Sequence, residues 1–191
     1  MTNNEIRSLA TTGLEIRKSG NSRTLVGLAL PYGKLSVDLG NFREKFMPGA
    51  FTASLQTSPD VRLNMDHSMD VSKVLARTTA GTLKLRESSA GLELEASLPS
   101  FADSLSEQIE RGDVSGLSIS FSADEDDWQD TSDGVIRTVK RASLGNHISV
   151  VSSPAYPQTS VSLRSAPEAI KALLQSDDEI LAVILGMRKQ F

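Results

Sequence analysis

Short stretches in which apolar and polar residues alternate, bounded by glycine, serine, asparagine and proline, fill the chain as far as Val151, and a two-residue period predicts strands. Leu14 to Arg17 and Thr24 to Ala29 flank the turn Ser19-Gly20-Asn21 and predict a hairpin. Val61 to Met65, Val74 to Arg77, Thr82 to Arg86 and Leu92 to Ala96 follow, the last two joined at Ser88-Ser89-Ala90-Gly91. In the last of them Leu92, Leu94 and Ala96 alternate with Glu93, Glu95 and Ser97, as in a half-buried strand. Gly116 to Ser122, Val135 to Lys140 and His147 to Val151 read as three further strands. Asp124-Glu125-Asp126-Asp127 and its neighbours up to Gly134 form a solvated acidic loop between the first two.

The period lengthens in three places. Pro48, after Phe42 to Met47, suits the first turn of a short helix running to about Gln56. Asp103 to Arg111, with Leu105 and Ile109 four apart, predicts a surface helix with a narrow apolar face, stopped by Gly112. Beyond Leu163 the spacing is helical, and Ser165-x-x-Glu168 and Ser176-x-x-Glu179 fit capping boxes ahead of Leu173, Leu174, Ile180, Val183, Ile184 and Met187. Residues 1–12 are polar and aperiodic and read as a loose arm. The expected organisation is that arm, one globular domain over 13–164, and a helical tail over 165–191. The fold class is α+β, a mostly antiparallel β-barrel or closed sheet flanked by helices.

Composition narrows the chemistry. With 24 acidic against 20 basic residues, the net charge of −4 leaves no electrostatic footprint for nucleic acid, and a protein partner is the better expectation. No apolar run approaches the roughly 18 residues of a membrane span. Met1 to Gly20 lacks the basic start and apolar core of a secretory signal, so a cytoplasmic location is expected. The absence of cysteine removes disulfides, thiolate metal sites and a cysteine nucleophile.

Only two histidines occur, so imidazole proton transfer has two candidates, His67 and His147. His67 follows a strand in Asn64-Met65-Asp66-His67-Ser68, and His147 begins one. Between them, Ser115-Gly116-Leu117-Ser118-Ile119-Ser120-Phe121 sets Leu117, Ile119 and Phe121 on one face and Gly116, Ser118 and Ser120 on the other. Gly116 leaves room on that face for a substrate backbone. Ser118 needs a base in hydrogen-bond reach to become a nucleophile, and Ser115 is its nearest competitor. Two imidazoles with Asp66 or Asp70 would instead suit a metal-dependent hydrolase, although no local ligand spacing supports one. A non-catalytic capsid-assembly or scaffold protein is the reading from a different class.

Several segments together resemble the prohead maturation proteases of tailed phages, a family related in fold to the herpesvirus assembly protease, assemblin. They are Gly27-Leu28-Ala29 with Pro31-Tyr32-Gly33, Glu44-Lys45-Phe46-Met47-Pro48-Gly49-Ala50-Phe51, Asp66-His67, the Gly112 to Phe121 segment, and Ile148-Ser149-Val150-Val151-Ser152-Ser153-Pro154-Ala155-Tyr156. The resemblance spans residues 14–163 and rests on the order and spacing of these motifs.

The resemblance implies a herpesvirus-protease-like fold, Ser118 as nucleophile and His67 as general base. The position before the Ile-Ser-Val-Val strand, acidic in many relatives, is His147 here, which resembles the Ser-His-His arrangement of assemblin. It further implies a serine endopeptidase, without cofactor or metal, acting in the host cytoplasm inside the procapsid. Its expected partners are scaffold protein or the scaffolding segment of the major capsid protein, and itself. Ala155, Tyr156 and Gly116 are loose candidates for oxyanion donors. The helical tail is a docking segment for the shell, a propeptide or a packed end, and homo-oligomerisation is left open.

Overall fold

The computed structural model describes residues 4–10 and 14–152. Among them are ten strands: β1 (Glu5–Ala10), β2 (Glu15–Ser19), β3 (Ser22–Pro31), β4 (Phe42–Phe46), β5 (Arg62–Met65), β6 (Val74–Arg77), β7 (Leu83–Glu87), β8 (Gly91–Leu98), β9 (Gly116–Thr131) and β10 (Gly134–Val151). Helix α1 (Thr52–Gln56) follows β4 and α2 (Asp103–Arg111) follows β8. The expected helix end is confirmed at Gly112, whose φ of 82° and amide bonds to Gln108 and Ile109 close the last turn of α2.

The strands form two sheets, in the orders β1-β9-β10-β5-β6 and β2-β3-β8-β7, with β4 on a second stretch of β10. All pairings are antiparallel except those of β4 and β5 with β10. The closed barrel expected from the sequence is therefore corrected to two sheets. β6 hands over to β7 through a turn over residues 78–81, and the two strands belong to different sheets. Leu25, Leu30, Leu92 and Leu94 of the smaller sheet share one core with Leu117, Ile119, Phe121 and Ile148 of the larger. Gly27 sets how closely they approach, because a Cβ there would lie 2.9 Å from Leu14 Cδ1 and 3.1 Å from Leu117 Cδ1.

β10 organises the larger sheet. Its 18 residues carry β9 along one edge. The other edge is shared by β4 at Val135–Val139, the start of α1, and β5 at His147–Val150. The gap at α1 is closed by Ala142 N–H on Ala50 O (2.8 Å) and Leu144 N–H on Ser54 Oγ (2.9 Å), so the ladder donors there stay satisfied. Glu87 of β7 joins two of the family-like motifs. It accepts from the Tyr32 hydroxyl, the Phe51 amide (2.9 Å) and Thr52 Oγ1 (2.5 Å). Burial first, and the Glu87 carboxylate second, push the Tyr32 phenol well above its usual range, so it stays a donor.

Two further expectations are corrected. Asp124 to Asp127 are not a loop but part of β9, which continues to Thr131, although Asp124, Glu125 and Asp127 are solvent-exposed as expected, and the strands read separately at Val135 to Lys140 and His147 to Val151 are the two ends of β10. Cross-strand partners neutralise the acidic run: Arg137 meets Asp126 (2.7 Å), Lys140 meets Asp127 (2.5 Å), Arg141 meets Glu125 (3.2 Å) and Ser143 Oγ meets Asp124 (2.8 Å).

Residues 5–10, expected within a loose arm, form β1 against Gly116 to Phe121 of β9. Its polar residues are held by a buried ion cluster: Arg137 bonds both oxygens of Glu5 (2.6 and 2.9 Å) and Glu44 (2.9 Å), and Arg7 bonds Glu44 (2.8 and 3.0 Å) and Glu5 (2.8 Å). Glu5 and Arg7 belong to the stretch expected as a polar arm, and only the fold brings them to Glu44 and Arg137. The expected helices over 165–191 and the segment Pro154-Ala155-Tyr156-Pro157 lie outside the described residues.

Candidate active site

Ser118 lies in β9 with Ser8 of β1 opposite on one side and Ser149 of β10 on the other, and Ser149 in turn faces Asn64 of β5. Directly paired residues share a sheet face, so the register alone builds a row of Ser8, Ser118, Ser149 and Asn64. Ser118 and Ser149 are fully buried, and Asn64 is 1% exposed with its Oδ1 unpaired among the described residues. Gly116, expected to leave an approach open, is itself paired on both sides, with Ala10 and Val151.

Both histidines reach this face through local departures from regular strand. After β5, Asp66 N–H still bonds Val150 O (2.9 Å), and Ser68 N–H then returns to Met65 O (2.9 Å). Asp66 and His67 take left-handed φ values of 47° and 55°, and this tight turn holds His67 against β10. His147 follows a register shift in β10, between the pairs Leu144 with Phe121 and Ile148 with Ile119. Gly145 permits that shift: a Cβ there would fall 2.0 Å from Ser120 Oγ, which bonds His147 O (3.2 Å).

The two imidazoles, 80 residues apart in sequence, meet with His67 Nδ1 3.3 Å from His147 Nε2 and their rings at 89°. Ser149 Oγ lies 3.4 Å from the same His67 Nδ1, and Asn146 Oδ1 lies 2.9 Å from His147 Nδ1. Ser118 Oγ is bonded to Ser8 Oγ (3.0 Å), and among the described residues no hydrogen bond joins it to either histidine. Burial lowers the pKa of His67, against a smaller opposing pull from Asp66. Burial also lowers that of His147, followed by the charges of His67 and Arg62. Both shifts favour the neutral ring, the form a general base requires.

The expected candidates separate clearly. His67 and His147 come together beside Ser149, whose register partner is Ser118. Ser115 is exposed and precedes β9. Asp70 Oδ1 caps the 3-10 turn Val71–Lys73 through Ser72 N–H (2.9 Å). Among the described residues no three His, Asp or Glu side chains converge as a metal site would require. A row of hydroxyls beside two neutral imidazoles suits acyl transfer through serine.

The sequence profile of the caudovirus prohead serine proteases matches residues 12–173. The chain belongs to this family. No curated protein matches the chain. In fold, this prohead protease resembles the bacteriophage T4 capsid assembly protease, gp21, with a TM-score of 0.51 and 13% identity, over 79% of this chain and 99% of that one. Among the described residues the candidate site also contains Ser8, Asn64, Asn146 and Ser149. Ser149 was recoverable by counting two positions on from His147 along a strand. Ser8 was hidden in the supposed arm, and nothing in the sequence marked Asn64 or Asn146.

Proposed function

We propose that this prohead serine protease is an endopeptidase with Ser118 as nucleophile, His67 as general base and His147 as the residue that orients His67. His67 Nε2 takes the Ser118 proton, the oxygen attacks a peptide carbonyl, the protonated His67 gives that proton to the amine as the C–N bond breaks, and the acyl-enzyme is then hydrolysed by water through the same base. The observation that carries this reading is the 3.3 Å contact of His67 Nδ1 with His147 Nε2. That contact occupies the inner nitrogen of His67 and leaves Nε2 as the basic one.

The substrates in this reading are scaffold protein or the scaffolding segment of the major capsid protein, and the protease itself, inside the procapsid in the host. The shell would supply a high local substrate concentration, so modest affinity suffices. The test is to incubate the purified chain and its Ser118→Ala variant with cognate scaffold or capsid protein and follow intact masses. Cleavage by the wild type alone, with the variant folded, supports the assignment. Cleavage by both overturns Ser118 as nucleophile.

A further inference from the structure

The third position of the site is an imidazole, which can exist in two neutral tautomers, and only one of them can serve His67. To accept from His67 Nδ1–H, His147 must present a bare Nε2 and carry its proton on Nδ1. In a free histidine side chain the opposite tautomer prevails. Something therefore has to hold the proton on His147 Nδ1.

Asn146 stands at that nitrogen, with its Oδ1 2.9 Å from His147 Nδ1. A carboxamide oxygen only accepts, so this contact requires Nδ1–H on His147. The bare His147 Nε2 then faces His67 Nδ1 at 3.3 Å and accepts its proton, which leaves the lone pair of His67 on Nε2. We infer that Asn146 is a positioning residue of the site, fixing the tautomer of His147 and through it that of His67. The chain of donors runs His67 Nδ1–H to His147 Nε2 and His147 Nδ1–H to Asn146 Oδ1. No proton needs to leave it during the reaction.

The backbone makes the contact possible. The register shift between Leu144 and Ile148 breaks the regular alternation of neighbours in β10. Asn146 and His147, adjacent in sequence, can then turn toward each other instead of to opposite faces. The charged groups near His147 and His67 are Arg62 and Asp66, respectively. Neither is bonded to His147 among the described hydrogen bonds, so the carboxamide is its partner on that side.

The inference rests on the proposed site, and two readouts keep their failures apart. The chain has only two histidines, so side-chain nitrogen NMR of the full-length protein above pH 7 reads both tautomers without crowding. The wild type is expected to show Nδ1–H on both rings, and Asn146→Ala a mixture at His147. An Nε2–H signal for His147 in the wild type overturns the inference whatever the activity.

The second readout is the pH profile of Ser118 acylation by a fluorophosphonate probe, mapped by mass spectrometry. Asn146→Ala should slow labelling by up to about tenfold, the upper end for one lost neutral hydrogen bond. Asn146→Asp keeps an acceptor on Nδ1, so it should retain the wild-type tautomers and move the acidic limb to higher pH. Equal labelling and equal tautomers in all three proteins would sink the role of Asn146. Labelling on a residue other than Ser118 would instead overturn the nucleophile assignment.

Discussion

The hydroxyl of Ser118 is bonded to that of Ser8, 3.0 Å away on the neighbouring strand β1. Ser8 donates this bond, so the N-terminal strand touches the candidate nucleophile at its reacting oxygen and leaves the Ser118 proton free for His67. A neutral hydrogen bond of this kind is worth about 0.5–1.5 kcal/mol, or roughly two- to tenfold in rate. Ser8→Ala should slow fluorophosphonate labelling of Ser118 within that range, because the oxygen loses a donor as negative charge develops on it. Faster labelling would mean that Ser8 restrains the nucleophile instead of assisting it.

β1 is held by charge. Arg137 is fully buried and bonded to Glu5, Glu44 and Asp126 at once. Removing one member of a buried ion group strands the others, at a cost of about 3–5 kcal/mol. Arg137→Met should lower the unfolding free energy by that amount in denaturant titration and speed amide exchange in β1. Unchanged exchange at residues 5–8 would show that backbone pairing alone retains the strand.

The contrast between these two contacts explains what the sequence disclosed. Wherever apolar residues alternated against a solvated face, as at Leu92, Leu94 and Ala96, strand and burial were both legible. The pattern failed where charges are paired across strands, buried in β1 and exposed in β9. Glu5 and Arg7 looked like a loose arm, and Asp124 to Asp127 like a loop, because Glu44, Arg137 and Lys140, which pair with them, lie more than ten residues away in sequence, on β4 and β10. The same limit applies at the site. Ser118 and the histidines stood out by residue type, whereas Ser8 and Asn146 matter only through register and a shift in β10 that no local signal announces.

The histidines also couple stability to pH. Both have folded-state pKa values below the usual 6.5, so between the folded value and 6.5 the unfolded chain binds more protons than the native one. Their contribution is complete above pH 6.5 and is lost as the pH falls below it, levelling off under the folded values. A His67→Gln, His147→Gln double variant should lose less stability between pH 7 and pH 5 than the wild type does. Parallel pH curves in thermal unfolding would show that neither imidazole is held neutral by the fold.

Asp66 combines two roles that substitution can separate. Its φ of 47° lies in the left-handed region, which aspartate and asparagine tolerate far better than a β-branched residue, and its charge raises the pKa of His67 against the effect of burial. Asp66→Asn keeps the turn and removes the charge, so the acidic limb of Ser118 labelling should move to lower pH while the melting temperature holds. Asp66→Val keeps neither and strains the backbone by about 1–2 kcal/mol, so it should lower both the melting temperature and the labelling plateau. If Asp66→Asn left the limb in place while Asp66→Val lost the plateau, the turn geometry and not the carboxylate would be what Asp66 gives to His67.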